Sequence, residues 1–276
     1  MHYADSHCHL DATEFDDDRD AVISRARAVG VDMMVVAAVT AASWPRLRDT
    51  CALDPALHPA YGLHPMFLGE HRHGHLHELR DWLQRERPCA VGECGLDYFV
   101  EGLDADTQRH YFQGQLQLAR EFDLPVIVHA RRATEEVIRT LRRIGGLRGV
   151  VHSFSGSPEQ ARQLWDAGFL IGLGGPLTYP RANRLRGLVA QMPLDYLLLE
   201  TDAPDQPDAG IRGQRNEPAR LPLVAATVAE LRGQDIAEVA AQTRRNAQRL
   251  FGLPEPSAQE RTSVRDEALP VKPIAH

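Results

Sequence analysis

Residues Leu124-Pro125-Val126-Ile127-Val128-His129 form an apolar run that ends in a histidine. Apolar side chains at successive positions are typical of a strand in a parallel sheet, which is covered on both faces. The same pattern, an apolar run followed by a polar residue, recurs along the chain. We predict eight such strands, near residues 3–7, 31–39, 58–62, 88–93, 124–129, 149–153, 168–173 and 195–200.

Amphipathic stretches separate these runs and predict helices. One follows the acidic residues 16–18 and ends at Gly30, where a glycine suits the end of a helix. Ser157-Pro158 begins another, with a cap residue followed by a proline at the first helical position. Further helices are predicted at residues 105–122, 218–232 and 235–251.

Eight strands that alternate with helices predict an α/β fold, a TIM (β/α)8 barrel. The whole barrel fits within residues 1–252, which we interpret as a single domain. Residues 253–276 are rich in proline, charge and small side chains, and we predict a disordered tail there.

Composition restricts the classes of function. The formal net charge of −7 argues against broad binding to nucleic acid, but it allows a local site in which cations carry positive charge. Lys272 is the only lysine, so the barrel offers none for a phosphate loop, a Schiff base or a carbamylated metal bridge. No secretory signal, membrane span or paired CxxC spacing is visible. We therefore expect a cytoplasmic protein without membrane contact, and a monomer is favoured.

Side chains that can bind metal follow most of the predicted strands. The carboxyl ends of barrel strands meet at one mouth, so ligands far apart in sequence can converge there. His7 and His9 are two residues apart on one strand and should share a face. Taken singly, each candidate could be a polar strand end, a helix cap or a buried histidine with a partner. Together they predict a metal-dependent hydrolase whose ligands are His7, His9, Glu93, His129, His152 and Asp202.

Glu93, Asp202 and His64 are predicted as the catalytic residues. A carboxylate can bridge two cations, and Glu93 is the natural bridge because no lysine lies within the barrel. Asp202 could bind one ion and also accept a proton from water. His64 lacks a second histidine beside it, so we assign it to substrate or phosphate contact rather than to direct metal binding.

Arg131, Arg132, Arg212 and Arg215 follow strand ends and could pair with phosphates, and we predict that Arg131, Arg212 and Arg215 bind substrate. A guanidinium group can form two hydrogen bonds with one phosphate. The alternative is that these arginines are ordinary surface charges. The four histidines that alternate within residues 71–77 are interpreted as a solvated loop.

Several motifs together resemble the TatD family of metal-dependent deoxyribonucleases, within the wider amidohydrolase-like barrels. The resemblance extends over residues 1–252. It rests on Asp5-Ser6-His7-Cys8-His9, Gly62-Leu63-His64-Pro65, Gly92-Glu93-Cys94-Gly95-Leu96-Asp97-Tyr98, Pro125-Val126-Ile127-Val128-His129-Ala130-Arg131, His152-Ser153-Phe154-Ser155-Gly156, Glu200-Thr201-Asp202-Ala203-Pro204, Asn216-Glu217-Pro218 and Asn246-Ala247-Gln248-Arg249-Leu250-Phe251-Gly252. The resemblance implies that Glu93 is shared between two ions, one also held by His7, His9 and Asp202 and the other by His129 and His152.

The resemblance also implies an activity. It is the hydrolysis of DNA phosphodiester bonds by 3′-5′ exonuclease action on single-stranded DNA, with two divalent cations as cofactors. Mg²⁺ or Mn²⁺ is expected to support activity, although a site rich in imidazole also suits Zn²⁺ or another transition metal. Two alternatives stay open. The same site could hydrolyse an ester or amide, in an aminoacyl-tRNA or a small metabolite, or the barrel could be a metal-holding scaffold without activity.

Overall fold

The structure of the protein, a computed structural model, describes residues 1–253. Within these residues each of the eight predicted strands is present. They are β1 (Tyr3–Cys8), β2 (Val31–Ala37), β3 (Leu57–Tyr61), β4 (Ala90–Asp97), β5 (Val126–Arg131), β6 (Gly149–Val151), β7 (Phe169–Leu173) and β8 (Leu197–Leu199). The predicted tail lies outside the described residues from residue 254 onward.

Nine α-helices accompany the strands in the described part of the chain. They are α1 (Arg19–Ala28), α2 (Trp44–Cys51), α3 (His75–Glu86), α4 (Ala105–Glu121), α5 (Thr134–Ile144), α6 (Pro158–Asp166), α7 (Asn183–Gln191), α8 (Leu221–Arg232) and α9 (Ile236–Phe251). The predicted start of α6 is confirmed, since Ser157 Oγ accepts the Gln160 N–H at 3.2 Å. None of the helices found in residues 1–253 is both long and apolar enough to cross a membrane.

The strands form one parallel sheet in chain order, from β1 to β8. Backbone hydrogen bonds also join β1 and the residues after it to the residues that follow β8. The His9 N–H donates to the Ala203 carbonyl at 2.7 Å, and the Asp202 N–H donates to the His7 carbonyl at 2.9 Å. The predicted barrel is therefore confirmed, and the carboxyl ends of all its strands open at one mouth.

Apolar side chains fill the interior of the barrel. Every strand contributes to a buried cluster made of Ala4, Met33, Val35, Ala60, Ala90, Ile127, Val150, Leu170 and Leu198, together with Ala247, Leu250 and Phe251 of α9. Alternate residues of a strand share a face, so the inward positions nearest the mouth follow the core positions by two residues. His129 thus follows Ile127, and His152 follows Val150. Because the interior is packed, a site has to lie at the mouth above it.

Strand β4 continues to Asp97, four residues beyond the predicted end at residue 93. It remains paired with β5, where Gly95 lies opposite His129 and Asp97 opposite Arg131. The two strands approach so closely that a Cβ on Gly95 would lie 2.0 Å from the His129 carbonyl oxygen. The end of this strand was not predicted because glycines and acids interrupt its apolar run.

The segment 71–77 differs in part from the predicted solvated loop. His73 and His77 are exposed, but His75 is buried at the start of α3. His71 is half-buried, and its Nε2 lies 2.9 Å from the His64 carbonyl oxygen. The prediction was wrong for His71 and His75 because alternating polar residues gave no sign of packing against the barrel.

Candidate metal centre

Seven polar side chains from six strand ends converge at the mouth of the barrel. Glu93 lies at the centre of the group. Its Oε2 is 3.1 Å from His7 Nε2 and 3.4 Å from His9 Nε2. Its Oε1 is 2.8 Å from His129 Nδ1 and 2.6 Å from His152 Nε2. The two oxygens of one carboxylate therefore face two different sets of histidines.

Asp202 completes the set on the Oε2 side. Its Oδ1 lies 3.3 Å from His7 Nε2 and 3.4 Å from His9 Nε2. Among the described residues, three groups bring ligand atoms within 4.8 Å of one another and could hold a metal ion: His7, Glu93 and His152; His7, His9 and Asp202; and His64, Glu93 and His129. All six predicted ligands thus lie in one cluster.

The charges of this cluster suit a cation. Burial acts to raise the pKa of Glu93, but the surrounding histidines, His152 first, hold it well below its ordinary value. Burial likewise acts to raise the pKa of Asp202, but hydrogen bonds from His7 and His9 keep that pKa below its ordinary range. Both carboxylates are therefore ionised, and buried ionised groups are unfavourable unless they are paired or bind a metal. The donor set fits one or more divalent ions.

Two of the histidines have their outer nitrogens occupied. His129 Nε2 lies 2.9 Å from Asp97 Oδ2, and His9 Nδ1 lies 2.8 Å from the Ala37 carbonyl oxygen. An outer nitrogen that donates its proton leaves the inner nitrogen unprotonated, which is the form that binds metals. These contacts orient His9 and His129 as ligands.

Glu200 lies behind His152, with its Oε1 3.8 Å from His152 Nδ1. The same oxygen accepts the Ser153 N–H at 2.5 Å. A Cβ on Gly172 would lie 2.1 Å from Glu200 Oε2, so a glycine is needed there to admit this carboxyl group. Burial raises the pKa of Glu200 to about 8. Glu200 is thus largely protonated at neutral pH.

His64 lies within the cluster, although its hydrogen bonds differ from those of the other histidines. Its Nδ1 accepts the Met66 N–H at 3.2 Å, so a neutral ring carries its proton on Nε2. Nε2 can then donate to Glu93 Oε1 at 2.9 Å. Burial lowers the pKa of His64 to about 4, which keeps the ring neutral. This tautomer is compatible with a role other than metal binding.

A cavity of about 830 Å³ opens above the cluster. His64, Glu93 and Asp202 line it, and so does Arg131 at the end of β5. Arg212 and Arg215 are exposed and do not line it. Arg215 instead pairs with Asp18 at 2.7 Å. Of the three arginines predicted to bind substrate, the structure brings only Arg131 to the cavity.

Two supporting residues were absent from the predicted site. Asp97 could have been found by alternation, because it lies four residues after Glu93 on the same strand. Gln206 lies outside the strands, so no pattern of alternation indicated it. It lies in the loop after β8, where its amide donates to Asp202 Oδ2 and its Oε1 accepts from Ser153 Oγ at 2.8 Å.

Comparisons with known proteins agree on one family. The family model described as TatD related DNase matches residues 4–252. The chain is 41% identical over 256 residues to the uncharacterized metal-dependent hydrolase YjjV of Escherichia coli (strain K12), with 91% of this chain and 98% of YjjV covered. It is 38% identical to the 3'-5' ssDNA/RNA exonuclease TatD of Erwinia tasmaniensis, with coverage of 88% and 97%.

Solved structures agree with the sequence comparisons. The crystal structure of YjjV, a TatD homolog from Escherichia coli K12, has a TM-score of 0.87 at 39% identity, with 91% of this chain and 98% of that chain covered. A TatD family hydrolase from Entamoeba histolytica has a TM-score of 0.79 at 21% identity and shares the fold, with coverage of 91% and 98%.

Proposed function

The chain belongs to the TatD-related DNase family of metal-dependent hydrolases, and from this premise we propose that it is a 3′-5′ exonuclease that acts on single-stranded DNA. The observation that carries the proposal is Glu93, whose two oxygens face separate sets of histidines at 2.6–3.4 Å. A carboxylate in this position is suited to hold two cations at once. The name of the Erwinia relative, a 3'-5' ssDNA/RNA exonuclease, supports nucleic acid as the substrate class.

In this proposal Glu93 is shared between two divalent cations. His7, His9, Glu93 and Asp202 would hold the first, and Glu93, His129 and His152 would hold the second. Paired cations polarise water and offset the charge that develops on a phosphate during hydrolysis. We propose Mg²⁺ or Mn²⁺ as the activating ion, while the imidazole nitrogens also suit Zn²⁺.

Asp202 is the proposed proton acceptor. Its carboxylate is ionised and borders the cavity. The Gln206 amide holds Oδ2, and the β1 histidines contact Oδ1, so the group is fixed in place. A positioned base of this kind can take a proton from attacking water. His64, neutral and at the cavity wall, is proposed to steady a phosphate oxygen.

Arg131 is the proposed phosphate-binding residue, because it alone of the three predicted arginines lines the cavity. We propose that Arg212 and Arg215 bind a different part of the substrate. The loop that carries them borders the cavity at Asp205 and Gln206. A strand long enough to leave the cavity across this loop could reach them.

The test uses 5′-labelled single-stranded DNA with protein depleted of metal. Restoring Mg²⁺ or Mn²⁺ should produce a ladder that shortens from the 3′ end, while Asp202→Ala should leave the DNA intact. Circular single-stranded DNA, which has no end, should resist both proteins. Absence of nucleotide release above the Asp202→Ala control would reject the proposal. A preference for an aryl ester or an aminoacyl-tRNA would instead support ester or amide hydrolysis at the same site.

A further inference from the structure

Exposed apolar and cationic side chains lie together on one part of the mouth. Phe99, just after β4, is 44% exposed despite its size. The guanidinium carbon of Arg131 lies 3.7 Å from the centroid of the Phe99 ring, and that of Arg132 lies 4.6 Å from it. Two cations therefore contact one exposed ring. We call Phe99, Arg131 and Arg132 the rim platform.

Hydrogen bonds through the Asp97 side chain join the rim platform to the candidate metal centre. The Phe99 N–H donates to Asp97 Oδ1 at 2.8 Å, while Asp97 Oδ2 contacts His129 Nε2 at 2.9 Å. The Tyr98 N–H donates to the Arg131 carbonyl at 2.9 Å. One carboxylate thus contacts both a candidate metal ligand and the backbone of Phe99, which links the platform to the centre.

The positive charge of the platform is not neutralised by nearby acids. Across residues 1–253, neither Arg131 nor Arg132 has a carboxylate within ion-pair distance, whereas Arg109 pairs with Glu136 at 2.6 Å. A guanidinium that lies over a ring keeps its N–H donors available at its edge. On a chain of net charge −7, two unpaired cations beside an exposed ring indicate an anionic, aromatic ligand.

We propose that the rim platform binds the nucleotides on the 5′ side of the bond that is cleaved, an inference that rests on the proposed function. Unpaired bases stack on aromatic rings and guanidinium planes with little dependence on sequence. The phosphates between them accept hydrogen bonds from Arg131 and Arg132. Met66 and Phe67, which are 41% and 37% exposed, line the adjoining cavity and extend the apolar surface. The platform selects single-stranded chains over short phosphodiesters.

The test compares two substrates of different length. The decamer (dT)10 reaches the platform, whereas the p-nitrophenyl ester of thymidine 5′-monophosphate has no nucleotide on the 5′ side. Phe99→Ala should raise KM for the decamer about tenfold, within the range that stacking gives, with less than about a twofold change in kcat. The ester should show a far smaller change in KM. Phe99→Trp should restore the decamer KM, and Leu223→Ala, which shortens an exposed leucine on α8, serves as the matched control.

The outcomes separate this inference from the proposed function. Wild-type protein that degrades the decamer with a KM unchanged by Phe99→Ala would overturn the platform and leave the exonuclease proposal intact. Equal losses on both substrates would also overturn it, since they indicate damage to the metal centre. If wild-type protein cleaves neither substrate, the exonuclease proposal fails. The platform is then tested by the Kd of fluorescent (dT)10 in EDTA. A Kd that Phe99→Ala leaves unchanged overturns the platform.

Discussion

At the scale of single residues, the candidate metal centre depends on groups that hold its histidines in place. Asp97 and the Ala37 carbonyl oxygen contact the outer nitrogens of His129 and His9. Both partners come from the same strand framework as the ligands. The candidate ligands themselves could be predicted because they end apolar runs. Alternation along β4 could have placed Asp97 on the same face as Glu93, but the sequence could not show that Asp97 supports a histidine rather than binding metal itself.

Asp97→Asn should weaken metal binding while the fold is retained. Asparagine keeps an oxygen for the Phe99 N–H, but it removes the charge beside His129 Nε2. Loss of such an outer partner typically costs about 10- to 100-fold in metal affinity. Titration of metal-free protein with Mn²⁺ by calorimetry measures the effect, with Asp17→Asn, at an exposed aspartate, as the control. Equal affinities in all three proteins would contradict the role given to Asp97.

Glu200→Gln should change the pH dependence of stability in metal-free protein. Burial raises the folded-state pKa of Glu200 from 4.5 to about 8, so the folded state binds the proton more tightly than the unfolded state does. Wild-type stability should therefore fall as pH rises from about 4.5 to 8, by an amount on the order of 4 kcal/mol from this group. Glutamine mimics the neutral form and should remove that part of the decline. Urea unfolding at several pH values measures it, and parallel curves for the two proteins would show the argument to be wrong.

At the scale of elements, the strands followed from apolar runs, because a parallel strand buried on both faces must be apolar at successive positions. The exception was the second half of β4, where Gly92, Glu93, Gly95 and Asp97 replace apolar residues. That stretch is also where the strand carries the site. An apolar run does not mark this part of β4, because its residues are determined by two other needs. The glycines allow the close approach to β5, and the acids serve the candidate metal centre.

Gly95→Ala should damage both the fold and the site. Gly95 has φ +150°, and an added Cβ would lie 2.0 Å from the His129 carbonyl oxygen, so β4 and β5 would have to separate. Gly187→Ala is the matched control, because it lies within α7 with open space around it. The control should gain about 0.5–1 kcal/mol of stability. Thermal unfolding should show a lowered Tm for Gly95→Ala alone, and a Tm equal to that of wild type would contradict the close approach.

At the scale of the whole molecule, the mouth combines a buried anionic centre with an unpaired cationic rim. The net charge of −7 indicates that the overall field does not attract a polyanion. The exposed Arg131 and Arg132 could be read from the sequence as two basic residues after a strand, but their pairing with Phe99 required the register of β4 on β5. Nucleic acid is therefore expected to bind through a few local contacts rather than through the general charge of the surface.

Binding of single-stranded DNA should accordingly show a weak dependence on salt. If Arg131 and Arg132 provide two phosphate contacts, they should contribute about −1.4 to the slope of log K against log [salt], at about −0.7 for each contact on a single strand. Arg132→Gln should reduce the slope by about one such increment. Arg143→Gln, at the exposed end of α5 away from the mouth, should leave it unchanged. Anisotropy of fluorescent (dT)10 with the Asp202→Ala protein between 50 and 200 mM NaCl measures these slopes. A slope several times steeper, or one that Arg143→Gln reduces equally, would mean that general surface charge rather than the rim platform binds the strand.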